Sequence, residues 1–252
     1  MPVALVPVKP PRLSREELAR TAPGLAPHGH DAFGLSLDGL ERALPLLDWL
    51  RGALPVSARG LESVPASGPV LLVTNHSGPL PLGALALAAA LLLDAETPRL
   101  PRPELEPWAA GAPWIGLALR RLGHVVAQPV NLAALLERGE LAVHAPPAAR
   151  AGRGAPLGPF RRDALRLAVR ARATVIPAAI AGAEDVLPVR RLELLARLLG
   201  RRTPPFVLAG LPRRRAVRIA LGAPRRLEAE LDGPTLDATA LALEEEIARL
   251  RV

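Results

Sequence analysis

The stretch Gly68-Pro69-Val70-Leu71-Leu72-Val73-Thr74-Asn75-His76-Ser77-Gly78 decides the fold. Gly68-Pro69 is a turn signal, and the continuous apolar run behind it predicts a buried strand over 70–74. Asn75-His76-Ser77-Gly78 follows at once, and then an apolar run from Leu80 to Leu93. That run is too short to cross a hydrocarbon core about 30 Å thick. It reads as a buried or interfacial helix. The strand therefore delivers Asn75 and His76 to a strand-to-helix junction.

Working outward, further strands are predicted at Val125–Ala127, Leu141–His144, Thr174–Ala178 and Ala216–Ala220. Ser14-Arg15-Glu16-Glu17 fits a capping box that opens a short helix. Asp38-Gly39-Leu40-Glu41 is a second such start. It predicts an amphipathic helix to about Gly52, with Leu40, Leu44, Leu47 and Leu50 on one stripe and a kink at Pro45. Pro103 to Leu122 reads as one or two helices broken near Gly111-Ala112-Pro113. Asn131 is expected to cap a helix that runs to Arg138 and stops at Gly139. Arg161–Arg172, Arg190–Leu199 and Thr235–Leu250 complete the helices. Alternating strands and helices with short links imply βαβ units. The fold class expected is α/β: a single domain, its mostly parallel or mixed sheet flanked by helices, with an N-terminal helical lead-in. Residues 1–35 are assigned to the lead-in and 36–252 to the domain. Ligand sites in such sheets lie at the carboxyl ends of the strands, where His76 falls.

Composition narrows the chemistry. The 252 residues include no cysteine, so disulfides, cysteine metal sites and cysteine nucleophiles are excluded. Lys9 is the only lysine, and arginine supplies the rest of a net charge of +8. That charge fits a polyanionic partner or a solvated arginine face imposed by codon bias. Nucleic acid is disfavoured, because stacking aromatics and any recognisable binding motif are lacking. His28-Gly29-His30-Asp31 looks like a metal cluster but reads as a solvated loop, and no metal site is expected. His124 reads as a satisfied core or rim histidine. The segment 190–199 is amphipathic and fits either a membrane surface or a core. The opening Met1-Pro2-Val3-Ala4-Leu5-Val6-Pro7 lacks the pattern of a signal peptide. The expectation is a cytoplasmic protein, peripheral at the inner face of the membrane.

The stretch from Gly60 to Gly78 resembles the first signature of the lysophospholipid and glycerol acyltransferase family, of the 1-acylglycerol-3-phosphate acyltransferase type. Leu135 to Val143, Ala173 to Asp185 and Ala220 to Pro224 resemble its later blocks in the same order. The resemblance covers roughly residues 31–252 and implies a glycerolphosphate acyltransferase-like fold. It also implies acyl transfer from acyl-CoA or acyl carrier protein to a glycerol-phosphate or lysophospholipid hydroxyl, with no further cofactor. His76 would be the general base, with Asn75 and Ser77 in support. A hydroxyl needs a base within hydrogen-bond reach, and a third group must fix the tautomer of that base.

The pattern breaks at polar positions. The family's Asp falls where this chain has Gly83, or Pro81 at the commoner spacing. The family's Phe-Pro-Glu-Gly matches Ala145-Pro146-Pro147-Ala148, so the Glu is Pro147 and the Gly is Ala148. Arg150 matches a following Arg, and with His144 it is assigned to substrate binding. Pro129 stands loosely where a further Arg is expected. Asp94 and Glu96 could replace the lost Asp only from the far end of the apolar helix, about 15 Å away. Three readings follow: an acyltransferase of reduced activity, a catalytically inactive relative that binds lipid or acyl chains, and a basic nucleic-acid-binding protein.

Overall fold

The computed structural model describes residues 13–75, 80–145, 162–191, 206–208, 210–227 and 232–251. His76, Ser77, Pro147, Ala148 and Arg150 lie outside these, as does most of the helix expected at 190–199. The elements are α1 (Arg15–Arg20), α2 (Leu37–Ala53), β1 (Val56–Arg59), β2 (Val70–Thr74), α3 (Leu82–Leu93), β3 (Pro101–Leu105), α4 (Pro107–Ala110), α5 (Ile115–Arg121) and β4 (Val125–Val126). They continue as α6 (Pro129–Glu137), β5 (Leu141–His144), α7 (Arg162–Arg170), β6 (Thr174–Ala181), β7 (Val189–Arg191), β8 (Phe206–Leu208), β9 (Val217–Leu221), β10 (Arg225–Arg226) and α8 (Gly233–Leu250).

The main sheet runs β1-β9-β6-β2-β5-β3-β4, with β10 paired to β6. β6, β2, β5, β3 and β4 are mutually parallel, while β9 and β10 run antiparallel to β6. This is the mixed α/β sheet expected. The five parallel strands bring their carboxyl ends to one edge, and β2 is the central strand of the seven-strand path. β7 and β8 form a separate antiparallel pair.

β2 has no polar alternation because both its faces are covered. Val70 and Leu72 pack with Leu87 and Leu91 of α3. Leu71 and Val73 pack with Leu135, Leu165 and Leu243 of α6, α7 and α8. The apolar helix α3 is buried on two sides. Its Ala88, Ala89 and Leu92 meet Leu40, Leu44 and Leu47 of α2. A helix apolar all round needs this setting, so the interfacial alternative for α3 does not hold.

Several boundaries differ from expectation. Ser36, not Asp38, caps α2 by accepting from the Gly39 N–H at 3.2 Å. Asp38 is instead in the first turn, where it binds Arg15 at 2.6 Å. The helix runs unbroken through Pro45, whose ring lies on the exposed side. α6 starts at Pro129, which is pre-organised for a first helical position. Asn131 is inside that helix, and its amide donates to the Val126 carbonyl at 2.9 Å. Residues 101–105 form a strand, where a helix is expected from Pro103 onward. Pro101-Arg102-Pro103 disfavours a helix there, since each proline lacks an N–H and restricts the residue before it. Arg190 and Arg191 are in β7, not in a helix.

The loop at 28–31 is not simply solvated. The Asp31 side chain is fully buried against Arg102. Arg102, in β3, also binds Glu140, and its Nε donates to the Gly123 carbonyl at 2.8 Å. Beside it, Arg99 donates to the carbonyls of Pro65, Gly68 and Gly139 at 2.8–3.1 Å. These two arginines tie the lead-in and three loops to the β3 side of the sheet.

Candidate active site

The site is built from the end of β2. Parallel pairing holds β2 to β6 as far as Thr74 opposite Ala178. Beyond that the Asn75 side chain takes over. Its amide nitrogen donates to the Ile180 carbonyl and its oxygen accepts from the Ile180 N–H, both at 2.8 Å. The amide mimics one more ladder step after the backbone has turned away. Asn75 is buried, so a side chain unable to do both would leave two backbone groups unsatisfied. The next residue in the chain is His76. Before it, the Thr74 hydroxyl is buried without a hydrogen-bond partner among the described residues, a feature not marked in the sequence reading.

α3 faces this strand end. Its N-cap is Pro81, with no side-chain cap and no acidic residue in the first turn. Uncapped N–H groups at a helix start carry partial positive charge, which disfavours an imidazolium nearby. Gly83, where the family's Asp is expected, is buried in this first turn and offers no acceptor. Asp94 is at the other end of α3 and is ion-paired with Arg51. It is engaged elsewhere.

The neighbouring strands contribute two carboxylates to the same edge. His144 ends β5, opposite Val73, and its Nδ1 meets Glu104 of β3 at 2.7 Å. That pairing fixes the ring orientation of a buried histidine. Glu184 follows β6 and is held by Arg251 at 3.2 Å. His124 has a different environment. It is buried, its Nδ1 is 3.2 Å from the Leu119 carbonyl, and burial pushes its imidazole down to about 4. It is a core histidine, as expected, but only half satisfied, because its Nε2 is buried without a hydrogen-bond partner among the described residues.

A groove of about 260 Å³ crosses β1, β9 and the end of β6. Ser57, Arg59, Arg218 and Arg251 line it over Ala179 and Ala181, on the α8 side of the sheet, opposite the face on which Ile180 packs with α3. Its basic lining suits an anionic group. The sequence reading did not single out these arginines, because strand alternation places them together only once β1 and β9 are known to be adjacent. Among the described residues no group of three or more acidic or histidine side chains could hold a metal.

Comparison with known proteins fits this architecture. The chain is 33% identical over 196 residues to uncharacterized proteins of Mycobacterium leprae and of Mycobacterium tuberculosis. Each match covers 70% of this chain; it covers 51% of the M. leprae protein and 52% of the M. tuberculosis one, so the chain spans about half the length of these relatives. Its fold is similar to that of the 1-acyl-sn-glycerophosphate (LPA) acyltransferase PlsC from Thermotoga maritima. That likeness has a TM-score of 0.52 at 14% identity and covers 82% of this chain and 80% of that one. The acyltransferase family model matches residues 55–181, from the start of the sheet to the end of β6 and through the Asn75 junction. Over that span, just over half its length, the chain belongs to the acyltransferase family.

Proposed function

We propose that the chain transfers an acyl group from acyl-CoA or acyl carrier protein to a glycerol-phosphate or lysophospholipid hydroxyl, at a reduced rate. The observation that carries this reading is the Asn75–Ile180 clasp, which holds the end of β2 rigidly where His76 follows. His76 takes the proton of the acceptor hydroxyl, and the oxygen attacks the thioester carbonyl. The C–S bond breaks, and the thiolate leaves with the proton from the imidazolium. No cofactor beyond the acyl donor is needed. Ser77 supports the base. His144, held by Glu104, and Arg150 contact the substrate. The protein works at the cytoplasmic face of the membrane, as a peripheral protein.

The reduced rate follows from the first turn of α3. With Gly83 in place of an acid, no first-turn carboxylate fixes the tautomer of His76. The same observation favours a second reading, in which the chain binds lipid or acyl chains without turnover. Pro147 and Ala148, in place of Glu and Gly, point the same way.

Thiol release from acyl-CoA separates the two, with glycerol-3-phosphate and lysophosphatidate as acceptors. The protein has no cysteine and is silent toward a thiol dye. Acceptor-dependent release that His76→Ala abolishes supports catalysis. Lipid binding without release, unchanged by His76→Ala, supports the second reading. Release that first appears in Gly83→Asp would identify the missing carboxylate as the cause.

A further inference from the structure

Trp49 and Trp114 are on the surface rather than in the core. Trp114 is 85% exposed and Trp49 57%. Trp114 also has φ 62°, a left-handed backbone that costs a non-glycine residue strain. It opens α5, whose Ile115 and Leu117 are 58% and 43% exposed. Pro113 and Ala118 extend the same exposed patch. No charged residue occurs from Pro107 to Leu119, and Arg120-Arg121 follow immediately.

The hairpin that carries this tip is firmly seated. Leu119 packs with Leu105 and Ala109. At Gly116 the two helices approach so closely that a Cβ would lie 2.3 Å from the Ala110 carbonyl oxygen. The strained, protruding Trp114 is therefore held out by a fixed support. Burial in the fold does not compensate its exposure.

We propose that the α4–α5 hairpin docks on an anionic lipid bilayer, with Trp114, Ile115 and Leu117 in the headgroup layer and Arg121 toward the phosphates. Tryptophan favours that layer because its ring is apolar while its N–H still needs a partner. A charge-free tip followed by arginine in a chain of net charge +8 complements an anionic surface. α5 has seven residues, so it lies on the bilayer and does not cross it. This deepens the peripheral placement proposed above and rests on it for its biological role. The physical binding is independent of acyl transfer.

Sedimentation with vesicles of phosphatidylglycerol and phosphatidylcholine, without acyl donor or acceptor, tests it. Wild type should partition onto these vesicles and much less onto phosphatidylcholine alone. Trp114→Ala/Ile115→Ala should weaken partition at least about tenfold, since two large apolar groups no longer leave water. Both side chains are exposed, so thermal melting should be unchanged and Trp49→Ala should bind within about twofold of wild type. In a variant whose Trp49 and Trp108 are replaced by Phe, the emission of Trp114 should shift to the blue on the vesicles. The proposal is overturned if the double variant binds like wild type, if wild type does not partition, or if Trp49→Ala carries the loss. It is equally overturned if wild type self-associates in free solution through this tip. His76→Ala should partition normally, so a failure of the catalytic reading would leave this result standing.

Discussion

Two regions of this protein treat charge in opposite ways. On the β3 side of the sheet, Asp31, Arg102 and Glu140 are buried together, their side chains no more than 1% exposed. At the end of β2, where acyltransferase chemistry would need a carboxylate beside His76, the first turn of α3 has none. The ionic groups with the best-defined geometry are architectural, and the junction that should be chemical is furnished with a glycine. Burial and pairing of charge are therefore a poor guide to the reactive site in this chain. A buried ion pair reports that removing one partner is costly, and little else.

The largest expected effect breaks the architectural side. Arg102→Ala should strip both carboxylates of their partner and cost about 3–5 kcal/mol, read as a lowered midpoint in urea. Adding Asp31→Asn and Glu140→Gln should recover much of that loss. Failure to recover would mean that Arg102 acts through its Gly123 contact or its packing.

The junction is tested next. Asn75→Ala should leave the Ile180 N–H and carbonyl unsatisfied and cost about 2–4 kcal/mol. Asn75→Asp can accept from the N–H but cannot donate to the carbonyl, and should be intermediate at best. Equal stability of all three proteins would remove the clasp as an organising feature.

A smaller effect belongs to His124, next to the ionic cluster. Its pKa is lowered chiefly by burial, to about 4 in the folded state, against about 6.5 for a free histidine. A group with a depressed folded pKa favours the folded state above the unfolded value, and that contribution is lost as pH falls. His124 should therefore withdraw on the order of 2 kcal/mol of stability between pH 6.5 and 4. His124→Gln should flatten that part of the stability curve. An unchanged acid limb would place the loss on another group, but not on Glu140, whose carboxyl burial pushes up. That group acts in the opposite direction, gaining stability as the pH is lowered.

The sequence by itself determined the frame. Val70–Thr74 could only be a strand buried on both faces. The uninterrupted apolar run of α3 marked a buried or interfacial helix, and the Asn75-His76 step fell at the strand end. These follow from local hydrophobic patterning, which one segment carries complete. Gly83 at the acid position was also legible, because it needs only spacing. Tertiary structure alone decided the rest. Nothing in Pro101-Arg102-Pro103 announces a strand, and nothing in Asp31 announces that it neutralises an arginine 71 residues away. Arg59 and Arg218 share a groove only because β1 pairs with β9. The role of Asn75 as a clasp on Ile180 spans 105 residues. Such partners are joined by sheet order and not by spacing along the chain, and sheet order is settled by the packing of all the layers at once.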